Sequence, residues 1–235
     1  MSAGPQPQAG AGPVADVVVV GGGVAGLAAA AALARRDLTV RLLEARSRLG
    51  GRAASVIDPQ SGEPIDNCQH VVMGCCRSFF RFCELTGVRS LLHPARELYF
   101  IEPVANGIEP RAIRFRDWPL PAPWHLAPAL LGLKFFTFRE RVALGRGLRR
   151  LAATPAEALQ TVTIAQWLEH VGQPQRLVEW FWTPVLVSAL SELPDRISAA
   201  YARQVFVEGF LQKRCAWRVY LPAVSLDRLY TVAVG

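Results

Sequence analysis

Residues 17–26 of this 235-residue chain, "VVVVGGGVAG", decide its fold. The four valines Val17–Val20 are β-branched and predict a buried parallel strand. The three glycines that follow would weaken a continuous helix, so the apolar run 14–34 is not a membrane span, although it has the length of one. The alanines from Ala28 onward predict a helix. The stretch therefore predicts a strand, a tight turn and a helix.

The glycines of this turn have the G-x-G-x-x-G spacing that binds dinucleotides. Gly21 permits the tight turn, Gly23 lets a pyrophosphate approach the backbone, and Gly26 lets the helix pack closely on the strand. Free N–H groups at the start of the helix can bind the phosphates. A second predicted strand, "LTVRLLEA", reaches Glu44, eighteen residues after Gly26, where an acidic residue binds a ribose. The segment predicts a Rossmann-like dinucleotide-binding unit.

The next stretch, "EARSRLGGRAAS", specifies the cofactor. Its residues Glu44, Arg46, Gly50, Gly51 and Arg52 resemble the E-x-R-x-x-x-G-G-R signature of the flavin amine oxidase and phytoene desaturase superfamily. The two glycines allow close backbone approach, and Arg52 can donate charge-assisted hydrogen bonds to a pyrophosphate. The resemblance implies that the cofactor is FAD rather than NAD, and that these five residues bind it together with the glycine turn.

A polar stretch, "PIDNCQHVVMG", follows at residues 64–74. Its residues Asp66, Asn67, Gln69 and His70, together with "FFRFCELTGV", resemble the hydroxysqualene dehydroxylase branch of that superfamily. The resemblance implies reductive dehydroxylation of hydroxysqualene to squalene, in hopanoid or squalene biosynthesis. It also implies that Gln69 and His70 lie near the flavin, with His70 as the candidate catalytic acid. A structural, hydrogen-bonded histidine is the alternative for His70.

The cysteines do not predict a metal site. Cys68, Cys75, Cys76 and Cys83 form no C-x-x-C pair, and His70 has no second histidine at ligand spacing. Cys76 and Cys83 are seven residues apart on a predicted helix, so we expect both to pack in the core. Five cysteines without a secretory signal favour a reducing, cytoplasmic setting.

Composition favours a globular protein, with 51% apolar residues and a formal charge of +7. The arginines are scattered and no recognition motif accompanies them, so nucleic acid is not the expected partner. Attraction to an anionic membrane surface fits this distribution. We therefore expect a cytoplasmic protein that is peripheral on the inner face of the membrane.

The middle of the chain does not show the alternation of strands and helices that is typical of a Rossmann fold. "LYFIEP" and "AIRFRDWPL" predict strands of a small sheet, and "FRERVALGRGLRRLA" predicts a basic amphipathic helix. That helix has either a solvated basic face or an interfacial patch through which a membrane lipid enters. The aromatic residues Trp180, Phe181 and Trp182 either pack in the core or line an apolar tunnel.

The predicted fold class is α/β, with an incomplete Rossmann-like FAD-binding domain and an inserted, mainly helical α+β substrate domain. The expected parts are a disordered tail (1–13), the FAD-binding part (14–88), a substrate or lipid-binding domain (89–220) and the start of a return (221–235). Ser225 is expected to open the last helix. The relatives continue for about as long again, so the chain resembles their N-terminal half, as a fragment or as one half of a split gene with a second polypeptide.

The resemblance implies a hydrophobic isoprenoid substrate. Three alternatives to the dehydroxylase stay open: a carotenoid desaturase of the phytoene type, another flavin amine oxidase-like enzyme, and a non-catalytic fragment that retains a nucleotide-binding motif.

Overall fold

The structure, a computed structural model, describes residues 14–67, 70–95, 97–102 and 111–233. The tail 1–13 that was expected to be disordered lies outside these residues, as does Gln69. The strands are β1 (Val17–Val20), β2 (Val40–Leu43), β3 (Ser55–Ile57), β4 (Pro64–Asp66), β5 (Val72–Met73), β6 (Leu92–Ala95), β7 (Leu98–Ile101), β8 (Ala112–Phe115) and β9 (Val219–Pro222).

The α-helices are α1 (Val24–Ala34), α2 (Arg77–Leu85), α3 (Ala127–Leu131), α4 (Phe138–Ala153), α5 (Ile164–His170), α6 (Gln175–Leu177), α7 (Thr183–Leu190), α8 (Ala199–Phe206) and α9 (Leu226–Val232). Short 3-10 turns cover Val88–Leu91, Trp124–Leu126 and Glu157–Leu159, and π-helical turns cover Val178–Trp182 and Val207–Leu211.

The chain divides into two compact units. Of the described residues, the first unit holds 14–67, 70–71, 77–93 and 221–233, and the second holds 72–76, 94–95, 97–102 and 111–220. These ranges differ from the expected ones, because 72–76 lies in the second unit, where β5 pairs antiparallel with the first residues of β9.

The first unit begins with the expected strand, turn and helix. β1 and β2 are parallel, with Val17 opposite Val40, and α1 connects them, which confirms the Rossmann-like fold class. The expectation that β1 is buried is wrong, since Val18 is 52% and Val20 is 83% exposed. Val18 and Val20 lie on one face of the sheet, opposite Val19, whose side chain lies near Gly26 of α1.

A hairpin, the helices α2 and α9, and the 3-10 turn Val88–Leu91 complete the first unit. β3 and β4 are antiparallel, with Val56 opposite Ile65. The hairpin is followed by α2 and, near the end of the chain, by α9, which begins after Ser225 as expected. The expected core position of Cys76 is wrong, because Cys76 precedes α2 and is exposed, whereas Cys83 within α2 is buried.

The second unit is mainly helical around one apolar core, with the expected small sheet of β7 and β8. Thr137 and Thr163 begin α4 and α5 with capping boxes, in which the threonine hydroxyl and a Glu or Gln side chain satisfy the first amides. In α4 the residues Leu144, Leu148 and Leu151 share one buried face, as their helical spacing predicts. None of the described helices is both long enough and apolar enough to cross a bilayer.

Candidate cofactor site

The glycine turn has the geometry that its sequence predicts. Gly21 has a φ of 103°, which favours glycine. A Cβ on Gly26 would lie 1.9 Å from the carbonyl oxygen of Gly21, so only glycine allows α1 to approach the turn this closely. A Cβ on Gly23 would meet no atom within 4 Å. Open space therefore exists beside Gly23, where a pyrophosphate is expected.

Glu44 lies at the carboxyl end of β2 and faces this turn. Its Oε2 accepts a hydrogen bond from the amide of Gly22 at 2.6 Å, and its Oε1 accepts one from the amide of Arg46 at 2.9 Å. The amides of Arg46 and Gly22 hold the pKa of the Glu44 carboxyl below its ordinary value. A carboxylate has about four acceptor positions, so Glu44 can still accept from the hydroxyls of a ribose.

The second pair of glycines lies against the first turn. The amide of Gly50 donates to the carbonyl of Gly22 at 2.8 Å, and a Cβ on Gly51 would lie 3.3 Å from the Cα of Gly23. Gly50 and Gly51 both have positive φ, of 94° and 64°. The structure therefore brings the predicted glycines and Glu44 together around the open space at Gly23.

The structure gives less information on the two arginines that the sequence predicts to bind the cofactor. The side chains of Arg46 and Arg52 are exposed; Arg46 lies two residues after Glu44, and Arg52 directly follows Gly51. Arg48, which the sequence analysis did not select, donates from Nη1 to the carbonyl of Ser55 at 2.7 Å and braces the hairpin. Arg46 contributes its amide to the site, and the binding role of Arg52 stays a prediction.

Sequence reasoning missed Tyr230, which lies under the second glycine pair. A Cβ on Gly50 would lie 2.7 Å from the Tyr230 ring, and this tyrosine is buried. Burial raises the pKa of Tyr230 to about 12, with smaller contributions from Cys83 and Asp66. No local pattern indicates this contact, because 180 positions separate the two residues.

His70 lies in the short connection between β4 and β5 and is half-buried. Asn67, three residues earlier, donates from its amide to the carbonyl of Ala54 at 2.9 Å, which holds the start of this stretch beside the G-G-R loop. Cys68 and Gln69 lie outside the described residues. The catalytic roles of His70 and Gln69 therefore stay predictions.

The second unit encloses a small apolar cavity of about 20 Å³, the space of roughly one water molecule. Its lining includes Phe100, Phe115, Phe181, Phe206 and Phe210. Trp182 packs in the core, where its Nε1 donates to Oε1 of Gln173 at 3.0 Å. Of the three aromatic residues at 180–182, only Phe181 lines the cavity. Within the described ranges, no group of three or more metal-ligating side chains is found.

Several known proteins are similar to this chain in sequence. Residues 19–84 match the family model of the NAD(P)-binding Rossmann-like domain. The hydroxysqualene dehydroxylase of Rhodopseudomonas palustris is 32% identical over 225 residues, which cover 93% of this chain and 48% of that protein. The zeta-carotene desaturase of Capsicum annuum is 29% identical over 214 residues, which cover 86% of this chain and 36% of that protein. The resemblance to hydroxysqualene dehydroxylases is thereby confirmed.

A solved structure of a redesigned putrescine oxidase superimposes with a TM-score of 0.64 at 18% sequence identity, covering 94% of this chain and 48% of that one. At this identity the likeness shows the fold alone. The chain spans less than half the length of these relatives. The chain is similar to hydroxysqualene dehydroxylases and zeta-carotene desaturases, and it contains a Rossmann-type dinucleotide-binding domain with an amine oxidase-like fold.

Proposed function

We propose that the protein is an FAD-dependent oxidoreductase that converts hydroxysqualene to squalene. The observation that carries the proposal is the similarity to a hydroxysqualene dehydroxylase along 93% of the chain, with the glycine and Glu44 positions assembled in one place. A carotenoid desaturase is the second candidate, because a zeta-carotene desaturase is 29% identical over 86% of the chain.

The residues of the first unit fit FAD. The space beside Gly23, where a Cβ would meet no atom, can accept the pyrophosphate, with the first amides of α1 as donors. Glu44 would accept from the ribose hydroxyls, and Arg52 would donate to the phosphates. When bound, FAD supplies hydride-transfer chemistry. The contribution of this chain is to hold the cofactor through the two glycine loops.

The loss of an allylic hydroxyl requires a proton donor, and His70 is our proposed donor. An imidazolium can release its proton to the departing oxygen at neutral pH. Gln69 is proposed to orient the same part of the substrate. The apolar cavity beside Phe181 and Phe206 has room for about one water, so an isoprenoid chain could occupy it only after it widens.

We also propose that the second unit contacts a membrane. Trp124 is 65% and Phe138 is 69% exposed, and Trp118 and Leu131 are exposed in the same segment. Arg141 of α4 donates to the carbonyl of Leu131, which places the first turn of α4 beside the end of α3. Exposed aromatic side chains next to arginines suit the interface of an anionic bilayer. We propose in addition that the protein is cytoplasmic and peripheral on the inner face of the membrane, where anionic lipids would attract its net charge of +7.

Turnover by the full-length protein tests the function. Since the chain spans 48% of its dehydroxylase relative, the assay uses the complete coding sequence or this chain combined with a polypeptide that supplies the rest. Hydroxysqualene is incubated anaerobically with reduced flavin, and squalene is measured by chromatography. Desaturation of zeta-carotene by the oxidised protein would favour the second candidate. A flavin-free protein that turns over neither substrate would overturn the proposal in favour of a non-catalytic fragment.

A further inference from the structure

Three free cysteines belong to the second unit: Cys75, Cys76 and Cys215. The amide of Gly74 donates to the carbonyl of Arg218 at 2.8 Å, which extends the pairing of β5 with β9. A Cβ on Gly74 would lie 2.0 Å from the carbonyl oxygen of Cys215. The backbone of Cys215 therefore touches the residue that precedes the adjacent pair Cys75 and Cys76.

Accessibility distinguishes these thiols from the remaining described cysteine. Cys76 and Cys215 are exposed and Cys75 is half-buried, whereas Cys83 is 0% exposed. Cys76 lies just before α2 and not within it. A reagent in solution can therefore reach Cys76, and Cys75 is its neighbour in the chain.

The adjacent thiol also favours ionisation of Cys76. The Cys75 thiol stabilises the thiolate and lowers the pKa of Cys76 to about 6, while the pKa of Cys75 itself is raised. Burial raises the pKa of Cys83 to about 11. Because the thiolate is the nucleophile of a cysteine, Cys76 combines exposure with ionisation at neutral pH.

We propose that Cys76 is a nucleophilic thiol that peroxide oxidises, and that Cys75 is the thiol that resolves the product. The Cys76 thiolate attacks one oxygen of hydrogen peroxide, the O–O bond breaks, and a sulfenic acid and hydroxide form. The hydroxide takes up a proton to give water. The Cys75 sulfur then attacks the Cys76 sulfur and releases the second water, so two thiols are oxidised and one peroxide is reduced.

The resulting disulfide is easily reduced. Consecutive Cα atoms are about 3.8 Å apart across a trans peptide, below the roughly 4.4 Å at which relaxed disulfides begin. A disulfide between Cys75 and Cys76 therefore strains the backbone, and strained disulfides have more oxidising potentials. The oxidation is reversible by ordinary thiol reductants.

Competitive alkylation of the unmodified protein tests the nucleophile without any variant. At pH 7, iodoacetamide should label Cys76 about tenfold faster than Cys215, the matched exposed thiol, as mass spectrometry of the peptides would show. After hydrogen peroxide treatment, Cys75 and Cys76 should be linked in one peptide. In Cys75→Ser, dimedone should instead label Cys76 as a sulfenic acid, while Cys215→Ser should leave the linkage intact.

Two results would overturn the proposal. Equal labelling rates for Cys76 and Cys215 would show that Cys76 is an ordinary exposed thiol. A peroxide-induced bond between Cys76 and Cys215 would show that Cys75 is not the resolving thiol.

Discussion

The Oδ1 of Asp66 accepts a hydrogen bond from the backbone amide of Leu226 at 3.0 Å, although 160 positions separate the two residues. The same oxygen accepts from Oγ of Ser55 at 2.7 Å, and Ser55 Oγ accepts from the amide of Asp227 at 3.1 Å. Ser225, at the N-cap position, makes no side-chain hydrogen bond of this kind. The hairpin of β3 and β4 therefore caps α9, the last helix of the described chain.

Replacing Asp66 by alanine should destabilise the first unit. The change removes the acceptor for the first amide of α9, and the loss of a helix cap costs about 1 kcal/mol. Asp66→Asn should cost less, because its carbonyl oxygen can still accept. The measurement is urea denaturation followed by far-UV circular dichroism. Glu63→Ala, which removes an exposed side chain of the same hairpin, is the control and should change little.

The sequence predicted those features that depend on residues close to one another in the chain. The roles of Gly21 and Gly26 follow from a positive φ and a close backbone approach within six residues. The capping box at Thr163 likewise depends on a side chain three residues away. The hydrogen bond between Asp66 and Leu226 joins residues 160 positions apart, and it forms only when the intervening chain has folded. No local sequence pattern predicts it.

Two expectations failed for a related reason. The valines of β1 specify a parallel strand, but their burial depends on what packs on each face of the sheet, and Val18 and Val20 share an exposed face. Cys76 has the spacing of a core position relative to Cys83, but the helix begins one residue later, at Arg77. Periodicity identifies the type of element, whereas its neighbours and its first residue decide exposure.

Valine substitutions at Gly23 and Gly26 should separate cofactor binding from folding. Gly23 has φ −72° and open space for a side chain, so Gly23→Val should keep the melting temperature but abolish FAD uptake. Gly26→Val adds the same atoms against the carbonyl of Gly21 and should lower the melting temperature. Flavin fluorescence and thermal denaturation of the full-length protein measure the two effects. FAD binding by Gly23→Val at normal affinity would contradict the assigned pyrophosphate position.

Stability should fall with acid because of His125. This residue of the second unit is 0% exposed, and neither ring nitrogen makes a well-formed hydrogen bond to another described residue. Burial lowers its pKa and Arg214 adds to this effect, while Asp117 and the backbone of Phe210 oppose it. The unfolded chain therefore binds a proton more readily than the folded one. The neutral, buried His125 therefore contributes fully to stability above about pH 6.5, the pKa of a histidine in the unfolded chain. This contribution is lost as the pH falls from there to the lower pKa of His125 in the folded protein.

His125→Phe isolates this contribution. The phenyl ring needs no hydrogen bond, so the variant should be as stable as the parent at pH 7 or more stable. Its melting temperature should depend less on pH between about 7 and 5 than that of the parent. Identical pH profiles for the two proteins would contradict the buried, neutral state of His125.

Membrane binding should depend on Trp124 and Phe138. Replacing both by serine should weaken binding to anionic vesicles by about tenfold or more, since burying one large apolar side chain contributes about 1.5–3 kcal/mol. Co-sedimentation with vesicles measures the change, and added salt should weaken the remaining binding. Tyr201, exposed on α8, provides the control substitution Tyr201→Ser. If Tyr201→Ser weakened vesicle binding equally, the exposed segment at 118–138 would have no special role in membrane binding.

His70→Ala in the full-length protein should slow squalene formation by roughly a hundredfold or more, the usual contribution of a general acid. FAD content should stay near that of the parent, because the glycine loops and Glu44, not His70, are proposed to hold the cofactor. Cys68→Ser, two positions earlier, should be mild, since no covalent or metal role is proposed for that cysteine. The assay is single-turnover reduction of hydroxysqualene by the chemically reduced, anaerobic protein. Full activity in His70→Ala would assign the histidine a structural role, and loss of activity in Cys68→Ser with FAD retained would transfer the catalytic role to the cysteine.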